Sequence, residues 1–125
     1  MTPMTLTAPA KEEWVLVLRM AFSGVCALLD VPVDVMEDAS TAIEESCDLL
    51  LHQDYSAETL TLQCEALPDG LRVTLTAQEG DRRIEEEKAD PEIARLIIET
   101  LVRQVALEQD EAGVHCVRMT LPVRV

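Results

Sequence analysis

Residues 34–53 read DVMEDASTAIEESCDLLLHQ. Val35 or Met36, Ala39, Ile43, Cys47 and Leu50 recur at the spacing of helical turns, while Glu37, Asp38, Ser40, Glu44 and Asp48 fall elsewhere on the wheel. That pattern predicts one long amphipathic helix whose apolar stripe is core. Asp34 follows Pro32 and Val33, with Glu37 three positions on, so an acidic N-cap with a capping-box-like partner is expected to start it.

The flanks extend the reading. Residues 4–8 alternate apolar residues with threonine and close on Pro9, the signature of a short first strand at a sheet edge. Over 11–29, Trp14, Val17 or Leu18, Ala21, Val25 and Leu28 give a second helical stripe, with Glu12 and Glu13 in the first turn where the helix dipole favours them. Trp14 and Phe22 are expected in the core, and Gly24, a costly residue in mid-helix, is expected where another element approaches closely.

Beyond a polar link at 53–58 come two runs of strict alternation. Leu60, Leu62, Cys64 and Ala66 point one way and Leu71, Val73, Leu75 and Ala77 repeat the pattern, joined by Leu67-Pro68-Asp69-Gly70. They predict a hairpin with one apolar face and one threonine-rich open face. Residues 79–91, which contain Glu85-Glu86-Glu87, read as a solvated loop with room for a helical start. Ile93, Leu96 or Ile97, Leu101 and Val105 predict a third helix over 91–107, and His115, Val117, Met119, Leu121 and Val123 predict a last strand. The expected fold is α+β, a two-layer α/β sandwich in which helices cover one face of a mostly antiparallel sheet, as a single domain over 1–125.

Composition narrows the function. The chain of 125 residues has a formal charge of −14, from 24 acidic against 10 basic residues, which disfavours nucleic acid and favours a basic or neutral protein partner. No run is long and apolar enough to span a bilayer, and the first ten residues do not read as a signal peptide, so the cytoplasm is expected. Cys26, Cys47, Cys64 and Cys116 form no C-x-x-C pair and sit in apolar patterns, so they are expected as reduced core residues. His52 and His115 have no partner at ligand spacing in the sequence, and no metal site is expected from them. Ser23, Ser40 and Ser46 have no marked base nearby.

Pro9-Ala10, Trp14, Arg19, Ser23-Gly24-Val25, Glu37-Asp38, Ala42-Ile43 and Glu45-Ser46-Cys47, taken together and without a gap, resemble the bacterial anti-sigma-factor serine/threonine kinases of the RsbW type. These belong to the GHKL, or histidine-kinase-like, ATPase superfamily. The resemblance implies that fold, with ATP held beneath the helical layer. It places Glu45 at the general base, a role a well-placed carboxylate can fill. The family's magnesium-binding asparagine, four residues on, is here Leu49, which offers no oxygen to a hard cation, and the adjacent Asp48 is rotated about 100° around the helix.

The family's D-x-G-x-G box matches Gln78-Glu79-Gly80-Asp81, with Gln78 in place of the adenine-binding aspartate, Gly80 retained and Arg82 in place of the second glycine. The G-x-G of the lid corresponds to Glu92-Ile93-Ala94, where a carboxylate opposes phosphate, and the short span between Gly80 and Glu92 contains no glycine, so the lid is expected to be shortened. The expectation is a scaffold that has lost its nucleotide site and needs no cofactor: a regulatory domain that sequesters a sigma factor or an anti-sigma antagonist in a partner-switching circuit. Arg19 matches a residue of the family's partner-binding surface, and a homodimer through the first strand's edge is consistent with edge pairing. The competing expectation is an active kinase that uses Mg-ATP, with Gln78 and Asp48 compensating for the lost ligands. A further one is an accessory domain docked by its polar sheet face.

Overall fold

Alternation in the middle of the chain builds the sheet. In the computed structural model, which describes residues 2–82 and 88–122, β2 (Tyr55–Leu67) and β3 (Gly70–Arg82) form the predicted hairpin, with Leu60 opposite Ala77, Leu62 opposite Leu75 and Cys64 opposite Val73. The turn is tight because Leu67 pairs directly with Gly70. Gly70 has a steric reason as well: a Cβ there would strike the carbonyl oxygen of Leu121 on the neighbouring strand.

β1 (Met4–Pro9) pairs along the outer side of β2, β5 (Gly113–Leu121) along β3, and β4 (Gln104–Asp110) closes the far edge, giving the order β1-β2-β3-β5-β4 with every pairing antiparallel. α1 (Glu12–Leu28), α2 (Val33–Leu51) and α3 (Pro91–Glu99) lie on one face, with α2 in the middle. Burial of Ala39, Ala42, Ile43, Ser46, Cys47, Leu49 and Leu50 makes α2 the spine of the helical layer, against Leu60, Leu62, Val73, Leu75, Val117 and Met119 of the sheet. The two-layer sandwich with a mostly antiparallel sheet is as the sequence predicts, in a histidine-kinase-like arrangement.

Several local expectations differ from the structure. Of the α1 residues expected in the core, Leu18, Phe22 and Val25 are buried, with Cys26 beside them, whereas Trp14 is 40% exposed and Leu28 lies on the open side. Gly24 is exposed, and a Cβ there would meet nothing, so no element approaches it. Asp34 does not cap α2; Pro32 occupies that position, its carbonyl accepting from the amide of Met36 at 2.9 Å, and Asp34 lies in the first turn. β3 runs on through Gln78, Gly80 and Arg82 where a loop was expected, and the run Glu85-Glu86-Glu87 lies outside the described residues, as does Val123.

The third helix stops at Glu99 and does not continue to 107. The Thr100 hydroxyl donates to the carbonyl of Ile97 at 2.7 Å, and the amide of Leu101 donates to Ile98 at 2.9 Å, tightening the last turn so that Val102 enters the core. The freed residues form edge strand β4, and the buried side of α3 is Ala94 and Ile98, leaving Ile93 and Leu96 exposed.

Candidate functional site

The resemblance directs attention to Glu45, Leu49, Gln78, Gly80 and Arg19, and the fold distributes them over both layers. Leu49 is 1% exposed, inside the core between α2 and the sheet. Glu45, one turn earlier, lies off that buried face and half-buried in a groove between α1 and α2. Gln78 follows the parity of Arg72, Thr74 and Thr76, so it stands on the open face of the sheet, where the hydroxyl of Thr59 donates to its Oε1 at 3.3 Å. The sheet therefore separates Glu45 from Gln78. Gly80 suits its own strand pair: opposite it β2 is irregular between Tyr55 and Thr59, and a Cβ at Gly80 would sit a tight 3.1 Å from the Cβ of Glu58.

At the start of α3, Asp90 is the N-cap, its Oδ1 accepting from the amide of Glu92 at 2.9 Å, with Pro91 in the first turn. Two carboxylates thus stand at the helix end where phosphate would need free amides. Ala94 is buried, so its side chain belongs to the core.

The groove between α1 and α2 holds about 370 Å³ and is lined by Glu12, Val15, Leu16, Arg19, Glu44, Glu45, Asp48 and Leu51. Arg19 spans it. Its Nε donates to the hydroxyl of Ser40 at 3.1 Å and its Nη1 pairs with Glu44 Oε2 at 3.1 Å, so the guanidinium is held at the lip of the groove, partly open to solvent. At the groove's end Glu12 of α1 meets Asp48 and His52 of α2, one ligand atom of each lying within 4.8 Å of the others. The expectation that His52 has no partner at ligand spacing passed over Asp48, one helical turn before it; only the fold brings in Glu12.

The helical layer is unusual in what it leaves exposed. α1 is apolar on its outer side too, with Leu16, Val17, Met20 and Leu28 at 59%, 40%, 62% and 83% exposure. Beside it, α2 carries Asp34, Glu37, Asp38, Glu44, Glu45 and Asp48 and no lysine or arginine. The four cysteines, Cys26 on α1, Cys47 on α2, Cys64 on β2 and Cys116 on β5, are buried and free. Burial, with Glu44 and Asp48 nearby, pushes the Cys47 thiol up to about 12; burial also pushes Cys64 to about 12 and Cys26 to about 11.

No family model matches the chain. A serine-protein kinase RsbW of Halalkalibacterium halodurans is 25% identical over 126 residues, spanning 87% of this chain and 77% of that protein. Another, from Bacillus licheniformis, is 27% identical over 79 residues, spanning 61% of this chain and 49% of that protein. Among solved structures, that of the RsbU and RsbW domains of a Mycobacterium tuberculosis protein superposes over 98% of this chain and 33% of that one, with a TM-score of 0.75 and 13% identity. The relationship is distant, one of fold at the level of the histidine-kinase-like superfamily. Among the described residues, no helix is long and apolar enough to cross a membrane.

Proposed function

We propose that this is a regulatory protein-binding domain of the anti-sigma-factor kind, which acts by occluding its partner and does so without ATP. The observation that carries the reading is the outer side of the helical layer. A surface helix normally shows one apolar stripe, and α1 shows two, the second being Leu16, Val17, Met20 and Leu28 beside the acidic α2. Such a surface suits a partner whose apolar contact residues are flanked by lysine and arginine, and the candidates are a sigma factor or an anti-sigma antagonist; Arg19, held by Ser40 and Glu44, stands at its border as a fixed donor. The core position of Leu49 and the separation of Glu45 from Gln78 by the sheet support a mechanism without phosphoryl transfer. The outer edge of β1, unpaired among the described residues, offers a second copy a strand to pair with.

The test is calorimetric titration with candidate sigma factors and antagonists, with and without Mg-ATP, on the wild type and on Met20→Glu. Saturable binding that ATP leaves unchanged and Met20→Glu abolishes is expected. Transfer of the γ-phosphate to an antagonist serine would replace this reading with an active kinase. Full binding by Met20→Glu would move the interface off α1.

A further inference from the structure

We propose that Glu12, Asp48 and His52 form a binding site for a divalent first-row transition ion, Zn2+ or one like it, where the start of α1 meets the end of α2. The inference does not depend on which protein the domain captures. One ligand atom from each side chain lies within 4.8 Å of those of the other two. Two carboxylate oxygens and one imidazole nitrogen suit an ion of borderline hardness, leaving further positions for water. Glu12 and Asp48 are exposed and His52 half-buried, so rotations about side-chain bonds suffice to close the donors onto an ion at about 2.0–2.2 Å.

The electrostatics point the same way. The C-terminal end of a helix carries roughly half a negative charge, and the last turn of α2 contains no basic residue to offset it. Asp48 adds its charge there, and the fold brings Glu12 to the same place. Glu44 and Glu45 line the adjoining groove, whose one basic side chain, Arg19, is paired with Glu44. His52 makes the cluster more than an acidic patch. Its Nδ1 lies 2.7 Å from the carbonyl oxygen of Asp48 and 3.4 Å from Asp48 Oδ1, which fixes the ring beside Asp48; the tautomer that donates from Nδ1 to that carbonyl keeps the Nε2 lone pair for an ion. The usual competitor for such ions, thiolate sulfur, is removed by burial of all four cysteines.

Bound there, the ion would tie the first turn of α1 to the last turn of α2 and close the end of the groove that Arg19 borders. A ligand that binds only the folded chain stabilises it in proportion to the logarithm of its concentration over Kd.

The test is titration of the full chain, freed of metal by chelator, with Zn2+ alone, read by calorimetry and by thermal melting. One equivalent with a Kd of about 10 µM or tighter is expected, with a rise in melting temperature. His52→Ala and Glu12→Gln should each weaken binding at least tenfold and abolish the thermal shift. Glu37→Gln, at the other end of α2, and His115→Gln should do neither. Circular dichroism of each variant separates a lost site from a lost fold. No saturable binding below about 1 mM, unchanged binding by His52→Ala, or loss of binding in His115→Gln would each overturn the assignment, the last by placing the ion at Asp110 and His115.

Discussion

The side-chain oxygen of Gln53 accepts the backbone amide of Val114 at 2.9 Å, joining the end of α2 to the start of β5 across 61 positions of sequence. The same amide group donates from Nε2 to the carbonyls of Leu49 at 2.9 Å and His52 at 3.0 Å. Gln53 is 4% exposed, so these bonds form where water cannot substitute for them. The central helix is thereby fixed to the sheet by a polar contact as well as by its apolar stripe. Beside it Tyr55 donates its hydroxyl to the carbonyl of Val114 at 2.5 Å and stacks on His115 at 4.2 Å between ring centroids, so β5 is anchored twice within two residues.

Replacing Gln53 by alanine is therefore expected to cost about 2–4 kcal/mol, since a buried donor and buried acceptors lose their partner at roughly 1–3 kcal/mol for each. Urea denaturation measures the loss. Hydrogen exchange locates it: the amide of Val114 should lose protection in Gln53→Ala while the hairpin amides of β2 and β3 keep theirs.

Leu49→Asn restores the side chain that the kinase resemblance would place on the magnesium ion. Because Leu49 is buried among apolar residues, the amide finds neither water nor an ion there. The substitution is expected to destabilise by about 2–4 kcal/mol and to confer no affinity for Mg-ATP. Nucleotide titration of the folded variant decides the second point; binding gained there would show that α2 can turn this face outward.

The chain disclosed its hairpin because alternation, a Pro-Asp-Gly turn and a threonine-rich face all agree over 60–77. The α2 helix was equally legible. β4 was hidden because Leu101 and Val105 continue the helical period of Ile93 and Ile97, and no glycine or proline marks the stop that Thr100 makes through its hydroxyl. Trp14 and Gly24 misled for a related reason. α1 is apolar nearly all round, so periodicity placed Leu18, Phe22 and Val25 in the core but could not exclude Trp14 and Leu28, which lie on the side that is open with Gly24. In the site, Glu45 and Arg19 fall in one groove as helical neighbours can, and the parity of Gln78 with Arg72, Thr74 and Thr76 sets it on the open face, whereas the meeting of Glu12 with His52 depends on tertiary packing that no spacing encodes.

The buried thiols make stability depend on pH in one direction. An ordinary cysteine titrates near 9.0, while Cys47 and Cys64 are held near 12 and Cys26 near 11. Above about pH 9 the unfolded chain releases these protons and the folded chain keeps them, so the unfolded state binds fewer and stability falls as pH rises. The contribution is present in full below pH 9 and is lost progressively toward 11–12. Each thiol adds at most about 1.4 kcal/mol per pH unit to that slope. Denaturation at pH 8, 9 and 10 should show the decline, Cys47→Ala should flatten it, and native protein at pH 8 should resist a thiol reagent that labels all four cysteines after unfolding.

Two positions, one within α1 and one just beyond its end, carry the wrong residue for their backbone, in opposite senses. Gly24 is helical, exposed and has open space where a Cβ would stand, so Gly24→Ala removes the conformational freedom of the unfolded glycine at no steric cost and should stabilise by about 0.5–1 kcal/mol. Asp30, just past the helix, has φ of 54° and sits where the chain reverses to let the amide of Val31 donate to the carbonyl of Cys26 at 3.0 Å, the bond that closes a left-handed helix end. Asp30→Gly relieves that conformation and should add about 1 kcal/mol. The sites are far enough apart to act independently, so the double variant should gain about 1.5–2 kcal/mol by chemical denaturation at low protein concentration. A loss on Gly24→Ala would mean that the outer side of α1 is covered in solution by a second copy packed close at Gly24, and the dependence of its stability on protein concentration would then reveal that dimer.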